Sequence, residues 1–156
     1  MATMVARLLD LADQLARDGA GSSALRRRAV STAYYAVFHA LAKSCAGILL
    51  PSVDRNSQVY ERVYRALDHG PLRAAFTTKG TPLKDRANLQ RIGELVVQLQ
   101  SERHRADYLP PNAGMFREEA RNLVDQARRA VTEIERLSTG DRIALATWVL
   151  FKSRSP

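Results

Sequence analysis

The segment from Ser23 to Leu49 has the fewest ways to fold of any part of this chain. It reads SALRRRAVSTAYYAVFHALAKSCAGIL, and no charged residue interrupts it between Arg28 and Lys43. Its apolar residues do not alternate with polar ones, as a half-buried strand requires; they fall on every side of a helix. A helix that is apolar all round must be buried all round. This one is too short and too polar at its start to span a bilayer, so it belongs at the centre of a helical bundle. Ser22 or Ser23 supplies the N-cap and Pro51 closes the run.

The rest of the chain repeats the helical period and nowhere shows the period of a strand. A first helix is expected over Ala2–Arg17, with Met4, Leu8, Leu11 and Leu15 as its inward stripe, ended by Gly19 and Gly21. A third covers Asn56–Asp68 and stops at His69-Gly70 as a C-cap, with a short helical turn over Pro71–Phe76 and a loop over Thr77–Pro82. A long helix follows from Leu83 to Tyr108, its inner seam formed by Leu89, Ile92, Val96, Leu99, Arg103 and Ala106 and its end set by Pro110-Pro111. Another runs from Met115 to Leu137. A break at Thr139-Gly140-Asp141 precedes a last short helix, Arg142–Lys152, and the tail from Ser153 onward is expected to be mobile. The chain thus reads as one all-α domain over residues 1–156, an antiparallel bundle of four main helices plus short additional ones. Residues 1–21 form the leading helix and turn, and 139–156 the closing helix and tail.

Composition narrows the function classes. Cys45 is the chain's one cysteine, which excludes a disulfide framework and a cysteine-built zinc site. No Walker lysine, glycine-rich phosphate loop, HExxH or carboxylate cluster with metal spacing occurs, so neither a metal nor a cofactor is expected. Arg7, Asp10 and Asp13 interrupt the apolar residues of Met1–Arg17, which argues against a signal peptide and makes the cytoplasm the expected compartment. Net charge is +8, and arginine supplies most of the positive residues. An arginine-rich excess suits planar recognition of phosphate, although solubility alone also accounts for it.

The residues that can carry chemistry gather at the end of the long helix. Arg103 continues an apolar seam, where a solvated cation is out of place. Asp107 follows one turn later, within pairing distance on a helix, and Tyr108 ends the segment. A cation, a carboxylate and a phenol therefore converge. One reading is an internal ion pair that fixes helix packing; the other is a site for an anion.

Two motifs resemble those of a known family. Arg28-Ala29-Val30-Ser31-Thr32-Ala33-Tyr34-Tyr35-Ala36-Val37-Phe38-His39-Ala40 is similar to the SxAYYAxFHA helix of one type of HEPN domain, and Arg103-His104-Arg105-Ala106-Asp107-Tyr108 resembles the RxxADY those proteins carry on a later helix. The order and spacing agree over roughly residues 26–137. The resemblance implies an antiparallel helical bundle, frequently dimeric, in a family that includes metal-independent ribonucleases and toxins, many paired with a nucleotidyltransferase. The family's ribonuclease motif is an arginine, four to six residues, then a histidine, one holding the scissile phosphate and the other moving the 2′-oxygen proton. Arg103 matches the arginine, and the histidine position is most nearly matched by Tyr108. A phenol, with a reference pKa of about 10, is a poor general base at neutral pH, where an imidazole near 6.5 is well placed.

The remaining candidates are read beside these. His39 lies one turn after Tyr35 on the central helix, as a core histidine or as a group approaching Arg103. His104 points about 100° away from its neighbour Arg103 and so faces solvent. His69 follows Arg62 at the motif's spacing but stands on another helix, explained as a C-terminal residue facing the helix dipole. Arg26, Arg27 and Arg28 begin the central helix, where cations oppose the dipole; Arg27 and Arg28 are second candidates for phosphate contact. The reading is a HEPN-like module binding RNA or nucleotide through Arg103, Asp107 and Tyr108, with Tyr35, His39, Arg27 and Arg28 around them. Its expected partners are a second copy of the chain and a nucleotidyltransferase-type protein. The alternatives are a metal-independent endoribonuclease toxin using Arg103 and Tyr108, and a structural interaction domain.

Overall fold

A computed structural model describes residues 2–110 and 117–152. The expected helix start at Met115, the stop at Pro111 and the tail from Ser153 lie outside the described residues. Among those described, the protein is all-α: seven α-helices, two short 3-10 turns and no strand.

Helix α1 spans Met4–Asp18 and is capped by Thr3, whose hydroxyl accepts from the Ala6 amide at 3.2 Å. A 3-10 turn over Gly19–Gly21 leads into α2, Ser23–Leu49, where Ser22 caps by accepting from the Leu25 amide at 3.3 Å. The short helices α3, Gln58–Tyr64, and α4, His69–Thr77, follow; then come a 3-10 turn over Pro82–Asp85 and α5, Ala87–Tyr108. Helices α6, Arg117–Glu135, and α7, Thr139–Leu150, complete the order.

Three expectations about the elements change. The single third helix over Asn56–Asp68 is two: α3 ends at Tyr64, and Asp68 adopts an extended conformation and accepts from the His69 amide to start α4. His69 therefore opens a helix instead of closing one, and Pro71 sits in a first turn, where its missing N–H leaves no bond unmade. The long helix begins at Ala87 because Pro82 starts a 3-10 turn and Arg86 is extended (φ −108°, ψ 110°). The last helix begins at Thr139, since Ser138 caps it through the Asp141 amide at 3.1 Å and Gly140 is absorbed into its first turn.

The chain divides into two compact units. The first comprises Met1–His39 and Leu95–Thr132: α1, the first part of α2, the last part of α5 and the first part of α6. Within it α2 and α5 run antiparallel, since Ser31 meets Asp107 and, further along α2, Tyr34 meets Gln100. Arg105 on α5 bridges to Glu119 on α6 at 2.5 Å, and Arg128 on α6 pairs with Asp10 and Asp13 on α1. The all-round apolar stretch of α2 is buried as expected, with Val30, Ala33, Tyr34 and Val37 fully enclosed. For α1 the inward stripe is not the expected one. Val5, Leu9, Ala12 and Ala16 are buried, whereas Met4 is 52% and Leu11 46% exposed. The helix is rotated by one residue, about 100°, so that its small alanines allow close approach.

The second unit comprises Ala40–Glu94 and Glu133–Pro156. There α4 packs against α7, and the Pro82–Asp85 turn packs against both. Gly93 on α5 lies under the Phe76 ring, where a Cβ would come within 2.4 Å of a ring carbon. Arg86 and Asp141 pair at 2.8 Å. Cys45 is buried, and that burial pushes its thiol up to about 12, well out of the reactive range.

Candidate anion-binding site

All the sequence-derived site residues belong to the first unit. Arg103 stands in the antiparallel contact of α5 with α2. Its guanidinium carbon lies 5.2 Å from the centroid of Tyr34 and 5.9 Å from that of Tyr35, both within range of a cation–π attraction. One turn on, the Asp107 carboxylate approaches Arg103 Nη1 at 3.6 Å, an ion pair longer than a hydrogen bond. The same carboxylate oxygen, Oδ2, also accepts from the Ser31 hydroxyl at 3.3 Å. The aromatic floor is itself ordered: Tyr34 meets Tyr35 edge-on at 5.8 Å and Phe38 at 6.2 Å, and Gln100 donates to the Tyr34 hydroxyl at 3.3 Å.

The arginine is nearly enclosed. Its side chain is 14% exposed and that of Asp107 26%. Its Nε–H is buried with no acceptor among the described residues. A buried donor without a partner costs roughly 1–3 kcal/mol relative to a satisfied one, so part of this guanidinium's hydrogen-bonding capacity is unused.

The other candidates divide. Tyr35 is half-buried and joins the arginine. Tyr108, by contrast, is 67% exposed, with its ring 4.9 Å from that of His104, which is itself exposed as expected. Between them they form an outer pair on α5, and the phenol is not part of the Arg103–Asp107 contact. His39 is half-buried and meets Phe38 edge-on at 6.1 Å, and desolvation lowers its pKa from the ordinary value. Arg27 is engaged: its guanidinium donates to the carbonyls of Ala106 at 3.2 Å, Leu109 at 2.6 Å and Pro110 at 2.7 Å. It is thus a side-chain cap for the end of α5, whose last carbonyls have no partner within the helix. Arg26 donates to the Gly19 carbonyl. Arg28 is exposed and has no partner among the described residues.

Sequence reasoning quoted Ser31 and Tyr34 as motif letters without giving either a role, and it missed Gln100. The signal for the first two lies in the motif itself, which places a hydroxyl and two aromatic rings on successive turns of one helix. A cleft of about 460 Å³ also opens between α5 and α6, lined by Glu102, Glu118, Glu119, Gln98, Asn122 and other residues. Two of its carboxylates, Glu102 and Glu119, are paired with Arg105. Among the described residues no group of three or more histidine, cysteine or acidic side chains is placed to hold a metal, and no helix is long and apolar enough to cross a membrane. No protein-family model matches the chain, and neither a curated protein nor a solved structure is found to be similar to it.

Chemically, the cluster is a fixed, nearly enclosed cation backed by aromatic faces and tethered to one carboxylate. It can offer an oxyanion a charge-assisted contact.

Proposed function

We propose that this chain is a HEPN-like binding module of the cytoplasm that takes an RNA phosphate or a nucleotide against Arg103. It works as a homodimer, alongside a nucleotidyltransferase-type partner in a toxin–antitoxin-like or stress-response system. The observation that carries this reading is the incomplete satisfaction of Arg103. Its guanidinium sits on two tyrosine faces, is 14% exposed and has a single carboxylate, at 3.6 Å, longer than a hydrogen bond. A phosphate oxygen at its exposed edge would supply the acceptor that Asp107 supplies only in part. The net charge of +8 adds a longer-range attraction for polyanions.

The test is a titration of fluorescently labelled single-stranded RNA, and separately of ATP, at low salt. Arg103→Ala is expected to weaken binding at least about tenfold, which is about 1.4 kcal/mol, with the helical circular-dichroism signal retained. Unchanged affinity for both ligands would sink the assignment.

A second reading is favoured by the 14% exposure of Arg103 and by the hold of Ser31 on Asp107: the cluster joins α5 to α2 within a structural interaction domain. On that reading Asp107→Asn lowers the melting temperature, by removing the counter-charge of an enclosed cation, and leaves ligand affinity untouched. Hydrolysis is not part of the proposal. Tyr108, the residue that most nearly matches the histidine of the family it resembles, is 67% exposed and a poor base, so incubation of RNA with the protein in EDTA is expected to give no cleavage beyond background.

A further inference from the structure

The outer side of α5, in the first unit, carries an aromatic pair that the Arg103 contact does not use. Tyr108 is 67% exposed, and its ring lies 4.9 Å from that of the exposed His104, tilted to it by 47°. Helical geometry fixes where this pair stands. Measured round α5 from Arg103, Asp107 lies at about 40°, His104 at about 100° and Tyr108 at about 140°. The buried Leu99 and Ala106 lie about 40° and 60° the opposite way. Asp107 faces α2 through Ser31, so the two rings form one outer lip of the α2–α5 contact. Arg28 stands on the other lip. It is exposed, and it lies two turns before Tyr35 on α2, within about 20° of the same face. Its neighbour Arg27 holds the carbonyls of Ala106, Leu109 and Pro110, which brings Arg28 level with the Tyr108 end of α5.

The surroundings of the rings select the ligand. Beside them stand the exposed Ser101 on α5 and Arg28 across the contact, and neither supplies the apolar surface that the core of a protein contact needs. The carboxylate between, Asp107, is turned to Arg103 and Ser31. An open aromatic face flanked by cations is the combination that holds a single strand of nucleic acid, with phosphates on the cations and a base on the ring. A duplex cannot use such a ring, because its bases are paired and stacked inside. We infer that this surface takes single-stranded RNA, with an unpaired base stacked on Tyr108 beside His104 and the flanking phosphates at Arg103 and Arg28. The inference rests on the Arg103 reading and extends it from the phosphate to the base.

Three fluorescent probes separate base from backbone: oligoadenylate of about eight nucleotides, an abasic ribose-phosphate strand of the same length, and a blunt RNA duplex. Each is titrated with the full chain at low salt and followed by anisotropy. Oligoadenylate is expected to bind at least about tenfold more tightly than the abasic strand, and the duplex no better than the abasic strand. Tyr108→Ala should abolish that gap by weakening oligoadenylate alone, and Tyr108→Trp should keep it; at 67% exposure neither change disturbs packing. Arg28→Ala should weaken both strands alike, by at least about twofold. The inference is overturned if the abasic strand or the duplex binds as tightly as oligoadenylate, or if Tyr108→Ala leaves the gap unchanged. It is likewise overturned if Tyr108→Ala alters only the self-association of the chain in sedimentation. Arg103→Ala tells the two readings apart. Loss of both strands in that variant, with no gap in the parent chain, keeps the phosphate site and sinks the base platform. A gap that depends on Tyr108, with affinities untouched by Arg103→Ala, keeps the platform and sinks the phosphate site. No binding of any probe at about 1 mM overturns both.

Discussion

Arg27 shows how far a side chain's task can lie from its sequence neighbourhood. As part of a basic triplet at a helix start it reads as a phosphate contact. In the fold it reaches the end of α5 and gathers three carbonyls that no helical amide can serve. Arg27→Ala is therefore expected to destabilise the protein by about 1–3 kcal/mol, read as a lower midpoint in urea unfolding. Arg27→Lys should recover only part, since an ammonium cannot match the planar fork. Asp107 was the opposite case: its spacing from Arg103 along one helix announced the pair. What spacing could not announce were Ser31 and the Tyr34 ring, which meet Arg103 and Asp107 only because α2 and α5 pack antiparallel.

Among the elements, α2 was legible to the residue, because serines precede it, a proline follows it and its apolar character is unbroken. Helix α1 was legible in existence but not in orientation. It carries two apolar stripes one position apart: Met4, Leu8, Leu11 and Leu15, and Val5, Leu9, Ala12 and Ala16. A reading by hydrophobic size prefers the first. Packing selects the second, because alanines bring backbones together and the larger side chains would hold them apart. A pair of substitutions distinguishes the two orientations. Ala12→Leu should overfill the enclosed face and cost about 1–3 kcal/mol, whereas Leu11→Ser should change stability by no more than about 0.5 kcal/mol, both measured by thermal unfolding. The divided third helix was missed for a similar reason. Asp68 within an apparently continuous pattern is read as a helix-end residue, and only its extended backbone shows it as the cap of the next helix.

For the molecule as a whole, His39 ties stability to pH. Burial lowers its pKa below the ordinary 6.5, so in the window between that value and its native one the unfolded chain binds the proton and the folded chain does not. Stability then rises with pH across this window; the contribution is complete above about pH 6.5 and is lost as pH falls through the native pKa. Urea midpoints should decline from pH 7 to pH 5, and His39→Gln should flatten that slope. A slope unchanged by the substitution would place its origin in other groups.

The boundaries between the two units fall at residues 39/40, 94/95 and 132/133, each inside a helix and none in a connection. Proteins assembled by recombination usually part at loops, but here every loop cut leaves residues of both units on at least one of its two pieces. Cleavage after Pro51, in the exposed turn that follows α2, would give a first fragment holding α1 and all of α2, a helix whose first part belongs to one unit and whose last part belongs to the other. Neither unit can be inherited, exchanged or excised as a module, so insertions and fusions that keep the protein whole belong in its loops or at its ends.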